Sequence, residues 1–504
     1  MHTLGSHPGV TGALLLLLSL VGSVSHSSPT GRLPVEEFEL ANGMRFLLLE
    51  RPAMPTIEAG WVVGSGAADD PEGSTGISHF IEHMMFKGTR SVGSHEIDRE
   101  LTTLDRLAKI EEALAEPSPS GRKAARRRSE LESEQAELEQ QARNLSQLGA
   151  FSLEYSRLGA TRLNANTAED LTLYYVTLPA EVVELWFWLE SDRLLQPVFR
   201  EFKKEQQVVA EERRRRVDST PTGAADLQFD TNFWRGTSYS KSPLGRPADV
   251  SQLRRAEVAD FFAQQYRPAG LTAVLVGNFD PGRIKRLAQT YFGRLGSQAS
   301  SAASVGQAAP TNWEPERSRQ EALDLTCECP PQVKIRYPTV PFSHPDQHAL
   351  QLAAGLLNGR SGRLYRQLVL GQEIAFAAFA QQTPLRYAGS FTVTIEAKGG
   401  TSAEALLSAW DEEVARLSAE PPTEAELTRV KRRLATESLN QLKDPHLLMR
   451  RLLVYAGLGD WSQLADWTEH ISTVRPEAVT DVAERYLNSE RRLVGSYRRA
   501  KAGE

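Results

Sequence analysis

Gly76-Ile77-Ser78-His79-Phe80-Ile81-Glu82-His83-Met84-Met85-Phe86-Lys87-Gly88-Thr89 is the stretch around which the rest of the chain is read. Its centre is H-x-x-E-H, embedded in apolar residues at helical spacing. On a helix, side chains four apart leave the same face. His79 and His83 can therefore share one small cation, for which imidazole is a preferred ligand. Glu82 sits one turn beyond His79 on the same side, placed to touch a water at the metal rather than the metal itself. Phe80, Ile81, Met84 and Met85 would bury the opposite face. Two histidines merely packed in a core are the competing reading, and the wider motif disfavours it.

Working outward, Phe38 to Glu50 reads as strand, Asn42-Gly43 turn, strand, and Ile57 to Val63 as a third strand. The loop Gly64 to Gly76 follows, with Ser74 and Thr75 positioned to cap the metal-bearing helix. A second helix is expected from about Ser94, running into residues 104–148, which are dominated by Leu, Ala, Glu, Arg and Gln. Leu104, Leu107, Ile110 and Leu114 form one stripe, and Leu131, Leu138, Ala142 and Leu145 another, with a break at Pro117-Ser118-Pro119-Ser120-Gly121. That pattern predicts an antiparallel helical hairpin projecting as a short coiled coil. Its nearly balanced charge makes a solvated stalk the first expectation and a partner-docking arm the second.

Leu163 to Leu178 alternates as a strand does, Ala180 to Arg193 and Glu201 to Arg216 are helical, and a helix Val258–Tyr266 precedes the core strand Leu271–Gly277. A Ser/Ala/Gln-rich stretch from Gly296 to Ala309 then marks a linker. The second half echoes the first. It has a helix Leu350–Leu357, a strand Phe391–Glu396 and a helix Ala405–Leu417, then a helix Val479–Tyr486 followed by a strand Arg492–Tyr497. It has no H-x-x-E-H. The expected organisation is a metal-bearing domain over residues 33–295 with the hairpin 104–148 inserted, a linker over 296–320, and a related domain over 321–500.

Composition bounds the possibilities. A chain of 504 residues exceeds one ordinary domain of ~100–200 residues. Hydrophobic content of 40% and charged content of 24% are those of a soluble globular protein. The net charge of −6 gives no argument for nucleic acid, and Arg213 to Arg216 reads as a solvated helix face. Residues 12–24 form an apolar run of signal-peptide length, too short for a permanent span. A cleaved leader over 1–25, with export to the periplasm or the outside, is expected; an uncleaved anchor is the alternative. No later segment is long and apolar enough to be transmembrane. Cys327 and Cys329 do not make a disulfide framework and read as a linker-proximal pair without catalytic role.

Several ordered segments now resemble the pitrilysin/insulinase family of zinc peptidases, whose H-x-x-E-H inverts the commoner H-E-x-x-H. They are Asn42-Gly43-Met44, Gly64-Ser65, Gly76 to Thr89, Asn164 to Tyr175, Tyr266-Arg267-Pro268 and Gly362 to Leu368. The resemblance covers nearly the whole chain after the leader and is nearest in size to half-length members, such as mitochondrial processing peptidase subunits and bacterial exported peptidases. It implies an α+β fold of two homologous domains, each a mostly antiparallel sheet packed with helices, with the helical hairpin inserted in the first. It also implies one Zn2+ per chain, with a third ligand from the pattern E-x-x-V-x-x-x-E. Here Glu205 to Glu212 fits, making Glu212 the ligand, Glu205 the carboxylate behind the ligands, and Glu211 the runner-up. The long interval between His83 and Glu212 is then explained by the inserted hairpin.

By the same resemblance Glu82 takes the proton of the attacking water, and Asn164 and Ala165 lie on an edge strand against which an extended substrate pairs. The implied activity is that of a zinc metalloendopeptidase acting on peptides or unfolded segments, as a homodimer or a heterodimer with a related subunit. A non-catalytic or partner-dependent assembly subunit is the alternative. One departure stands out. The family often carries an Arg and, seven residues on, a Tyr that hold the substrate carbonyl; the matching positions here are Val369 and Phe376. Arg363, Tyr365, Arg366, Arg386 and Tyr387 are the nearby polar candidates.

Overall fold

Six strands build the first sheet: β1 (Glu36–Glu39), β2 (Arg45–Glu50), β3 (Thr56–Val63), β4 (Thr161–Thr167), β5 (Thr172–Pro179) and β6 (Leu271–Gly277). Their order is β1-β2-β6-β3-β5-β4, with β2 and β6 parallel and all other neighbours antiparallel. The second sheet has β7 (Glu321–Cys327), β8 (Gln332–Thr339), β9 (Ala375–Pro384), β10 (Gly389–Ala397) and β11 (Leu493–Arg499), in the order β7-β11-β8-β10-β9. Only β7 and β11 run parallel. Leaving out β1, the two sheets trace the same path with the same single parallel pair. The fold is therefore a duplicated α+β unit. This computed structural model describes residues 33–116, 121–296 and 321–499. The leader expected over 1–25, the linker expected over 296–320 apart from Gly296, and residues 117–120 of the hairpin break lie outside the described residues.

The apolar runs of β3 and β6 are buried along almost their whole length, as strands covered on both faces must be. One cover comes from the second half. Helix Pro445–Leu458 lies on β3, β5 and β6, with Leu448, Met449, Leu452 and Leu453 buried. At its start His446 Nδ1 lies 2.9 Å from Glu58 Oε2, and Glu58 also accepts from Thr177 Oγ1 at 2.6 Å.

Six helices of the first half matter for the site: α1 (Ile77–Met84), α2 (Ile97–Ala115), α3 (Arg122–Leu145), α4 (Ala150–Arg157), α5 (Val183–Leu195) and α6 (Phe202–Arg213). Helices α2 and α3 form the expected hairpin, and Leu104, Leu107, Ile110, Leu131, Leu138 and Ala142 pack into a small core together with Val198 of the body. The expected projection is corrected: the hairpin lies against the body. Glu100 and Glu111 are eleven residues apart, three helical turns, so both face inward. Glu111, 7% exposed, pairs with Arg255 at 3.4 Å. Glu100 is 0% exposed and accepts from Arg200 Nε at 2.9 Å and Nη2 at 3.1 Å, as well as from Ser146 Oγ at 2.7 Å. Arg200 further donates to the carbonyls of Lys87, Thr89 and Val92 in the loop leaving α1. The balanced charge that suggested a solvated stalk conceals two acids used for docking.

The two cysteines also require correction. Cys327 and Cys329 are bonded to each other at the end of β7 and are buried beside Phe229 and Tyr497. The turn they close is held against the first half by Glu328 N–H donating to the Pro221 carbonyl at 3.0 Å.

Candidate metal centre

The start of α1 is fixed from a distance. Asp70 accepts from Gly76 N at 2.6 Å, Ser78 N at 3.1 Å and Ser78 Oγ at 2.6 Å, satisfying helix N–H groups that would otherwise be orphaned. Ser74 and Thr75, expected as caps, donate instead to Glu257 and Asp249. Gly76 has φ +89, and a Cβ there would fall 2.9 Å from Gly245 Cα and from Val250 Cγ2. Gly76→Ala should therefore cost about 1–3 kcal/mol, read as a lowered urea midpoint at unchanged slope.

From that start, α1 carries His79 and His83 on one face, and α6 brings Glu212 to meet them. One ligand atom from each of the three lies within 4.8 Å of the others. Glu212 Oε2 is 3.6 Å from His79 Nε2 and 3.2 Å from His83 Nε2. Glu205, two helical turns before Glu212, is 2.8 Å from His83 Nδ1 and so orients that ring. Lys87 Nζ pairs with Glu205 at 2.5 Å and with Glu201 at 3.5 Å. Glu211 pairs with Arg214 on the exposed face, away from the histidines. Glu82 is buried, stands outside the trio, and accepts from Thr167 Oγ1 at 2.5 Å.

Three of these neighbours carried no role in the sequence reading. Thr167 lies within the Asn164-Ala165-x-Thr167 segment, and Lys87 within the opening stretch. Arg216 Nη2 pairs with Glu212 Oε1 at 3.0 Å, four residues on, across a wide turn at Arg214–Asp218 that ends the α-helix at Arg213. The run Arg213 to Arg216 is thus only partly a solvated face, because Arg213 Nη1 also donates to the Gly245 carbonyl at 2.8 Å.

The charges in this cluster are interdependent. Burial and the adjacent His83 push His79 down to about 4. Burial alone would lower His83 too, but its hydrogen bonds to Glu205 and Glu212 outweigh that and raise it to about 9. The hydrogen bond from His83 holds Glu212 down to about 2, against the opposing effect of burial. Burial raises the Glu82 carboxyl, and the Thr167 hydrogen bond offsets part of the rise.

A metal must displace the proton that His83 keeps in the metal-free protein, since only neutral imidazole ligates. Any metal that His83 ligates is therefore expected to be held more tightly as pH rises toward the raised His83 value. Chelator competition at three pH values checks this. The sign for stability is opposite. His83 is raised above 6.5, so its contribution to the metal-free fold is complete below 6.5 and is lost as pH rises through about 9.

Asn164 and Ala165 lie on β4, the outer strand of the first sheet, opposite Tyr175 and Tyr174. Asn164 shares a cavity of about 360 Å³ with Glu82 and His83. The two arginines Arg363 and Arg386 among the polar candidates of the second half are engaged elsewhere. Arg386 donates to the carbonyls of Gly64, Asp170 and Gly457, and Arg363 pairs with Glu413 and Glu426. Tyr387 N–H donates to Tyr239 Oη at 3.0 Å. Tyr365 and Arg366 lie on the wide turn Tyr365–Gly371. Val369 packs against the second core, whereas Phe376 is 73% exposed on β9.

Comparison with known proteins decides the family. The model described as "Insulinase (Peptidase family M16)" matches residues 45–105, which hold α1, and that described as "Peptidase M16 inactive domain" matches residues 252–434. The chain belongs to the pitrilysin/insulinase family. This half-length, pitrilysin-like chain is 22% identical over 485 residues to the zinc protease PqqE of Helicobacter pylori, covering 94% of this chain and 95% of that relative. It is also 22% identical over 505 residues to cytochrome b-c1 complex subunit 1, mitochondrial, of Rattus norvegicus, covering 96% and 91%. The crystal structure of a protease from Helicobacter pylori matches with a TM-score of 0.73 at 21% identity, over 92% of this chain and 99% of that one. The pitrilysin-like fold is thereby established. Relatives named as a zinc protease and as a subunit of a complex leave the chemistry to be argued from the site.

Proposed function

We propose that this chain is a zinc-dependent metalloendopeptidase that hydrolyses peptide bonds in peptides or unfolded protein segments. One observation carries the reading: three donor atoms from His79, His83 and Glu212 converge within 4.8 Å, with the buried carboxylate of Glu82 beside them and outside the set. Two imidazoles and a carboxylate are the donor set of a catalytic zinc site that keeps one position open. They fit one Zn2+ per chain. When bound there, zinc supplies a Lewis acid that polarises water and the scissile carbonyl.

The chain's own groups supply the rest. Glu82, with its carboxyl raised by burial, accepts a proton from the attacking water and returns it to the leaving amine nitrogen. Thr167 holds the carboxylate through Oε2. Glu205 orients His83, and Arg216 occupies the Glu212 oxygen turned away from the imidazoles. Asn164 and Ala165 offer the outer edge of β4 to an extended substrate strand, which restricts substrates to unfolded segments.

With Arg363 and Arg386 committed elsewhere, a second chain is proposed to complete the substrate clamp, as a homodimer or with a related subunit. The apolar run at residues 12–24 supports export, and among the described residues no helix is long and apolar enough to cross a membrane. A second reading, a non-catalytic or partner-dependent assembly subunit, draws on the rat relative's name and the unfilled clamp positions; it leaves Glu82 without a purpose.

The test is the zinc content of the purified protein, with digestion of a reduced, unfolded polypeptide before and after chelation. One zinc per chain and hydrolysis that chelation abolishes are expected. A protein that takes up no zinc, or whose hydrolysis survives chelation, defeats the peptidase reading.

A further inference from the structure

The cavity of about 360 Å³ beside Glu82 and His83 is walled in part by the inserted hairpin. Its lining includes Gln147, Leu148 and Ser152, where α3 ends, the chain turns at Gly149, and α4 begins. This return limb is held from several sides. Gln147 N–H donates to the Gly93 carbonyl and His95 N–H to the Leu145 carbonyl, both at 2.9 Å. Ser146 Oγ reaches the buried Glu100, and Phe151 and Tyr155 anchor α4 in the core. On this fixed support Leu148 remains 58% exposed at the cavity.

Apart from Glu82, which accepts from Thr167 and is assigned to the attacking water, the charges around the cavity are already matched. Lys87 pairs with Glu201 and Glu205, Glu205 also with His83, and Arg200 with Glu100. A charged side chain entering from outside would have to separate one of these pairs and leave a partner uncompensated. Phe86 is packed against the first core with Arg193 over its ring, so Leu148 is the apolar side chain of the lining that stands exposed. Asn164 of β4 borders the same space, so a polypeptide laid along that edge directs one of its alternating side chains into it.

We propose that the return limb of the inserted hairpin is a specificity wall, in which Leu148 selects a neutral, apolar substrate side chain flanking the scissile bond. This rests on the peptidase reading above. The hairpin thereby acts at the reaction centre through its root, whatever its outer end meets.

The experiment digests an unfolded, carboxymethylated protein with the zinc-loaded wild type, Leu148→Asp, Leu148→Trp and Leu153→Asp, mapping cuts by mass spectrometry. Leu153 is an exposed neighbour on α4 outside the cavity and serves as the charge control. In the wild type one flank of the cut should be enriched in Leu, Met and Phe. Leu148→Asp should shift that flank about tenfold toward Lys and Arg, and Leu148→Trp about as far toward Gly, Ala and Ser, while Leu153→Asp keeps the wild-type pattern. Anisotropy of labelled Leu- and Lys-containing decapeptides on Glu82→Gln, with and without Leu148→Asp, reads the same preference where cleavage is slow. Unchanged flanks and unchanged peptide ranking in the Leu148 variants overturn the wall and leave the peptidase intact, as does a wild-type flank enriched in charged residues. No cleavage by zinc-loaded wild type overturns both.

Discussion

Glu82→Gln is expected to lower the turnover of an unstructured peptide by about 10²–10⁴-fold, the usual contribution of a positioned general base. The substitution preserves shape, and the amide oxygen of Gln can still accept from Thr167 Oγ1. What disappears is the ability to hold a proton between water and the leaving nitrogen. Burial already lifts this carboxyl above its ordinary value, toward the working pH at which a base shuttles protons best. Zinc content should stay at one per chain, because the converging donors belong to His79, His83 and Glu212. Measuring turnover and metal stoichiometry on the same preparation separates the two roles. Turnover equal to wild type with zinc retained would remove Glu82 from the mechanism.

The largest stability effect is expected at Arg200. Arg200→Met should cost about 3–5 kcal/mol, the range for leaving a buried ion without its partner. Glu100 is 0% exposed and would keep only Ser146 as a side-chain donor. The carbonyls of Lys87, Thr89 and Val92 would lose their guanidinium donors at the same time. Those carbonyls follow directly from the helix that bears His79 and His83, so loosening should also weaken zinc retention against a chelator. Neutralising both partners, as Glu100→Gln with Arg200→Met, should restore part of the loss, since the unpaired charge is then gone. Urea unfolding of the two variants gives the comparison, and a single-variant loss under about 1 kcal/mol would show that the pair is dispensable.

How much of this was legible depends on the range of the interaction that fixes each element. The β-branched runs at Ile57–Val63 and Leu271–Gly277 and the four-residue spacing of His79 and His83 are local patterns, and both are found where they were read. The seven-residue spacing of Glu205 and Glu212 likewise put them on one face of one helix. The cap on α1 was misread because a local Ser and Thr were favoured over Asp70, which returns from an earlier turn. The hairpin's stripes gave its helices but not its direction, because Glu111 meets Arg255 far along the chain. Strand β8 alternates Val333, Ile335 and Tyr337 inward, a signal that was present and unread. Strand β9, Ala-Phe-Ala-Ala-Phe-Ala, carries no such alternation and is defined only by pairing with β10.

Helix Pro445–Leu458 has a consequence for how the gene can be divided. The duplication invites cutting the chain in the region between the sheets to obtain a small metal-bearing fragment. Such a fragment would lack the cover that Leu448, Met449, Leu452 and Leu453 give to β3 and β6. An uncovered apolar sheet face of that kind drives aggregation. Recombinant production of the half that carries His79 and His83 is therefore expected to need the other half translated with it or supplied alongside, so that the repeat no longer behaves as a separable module.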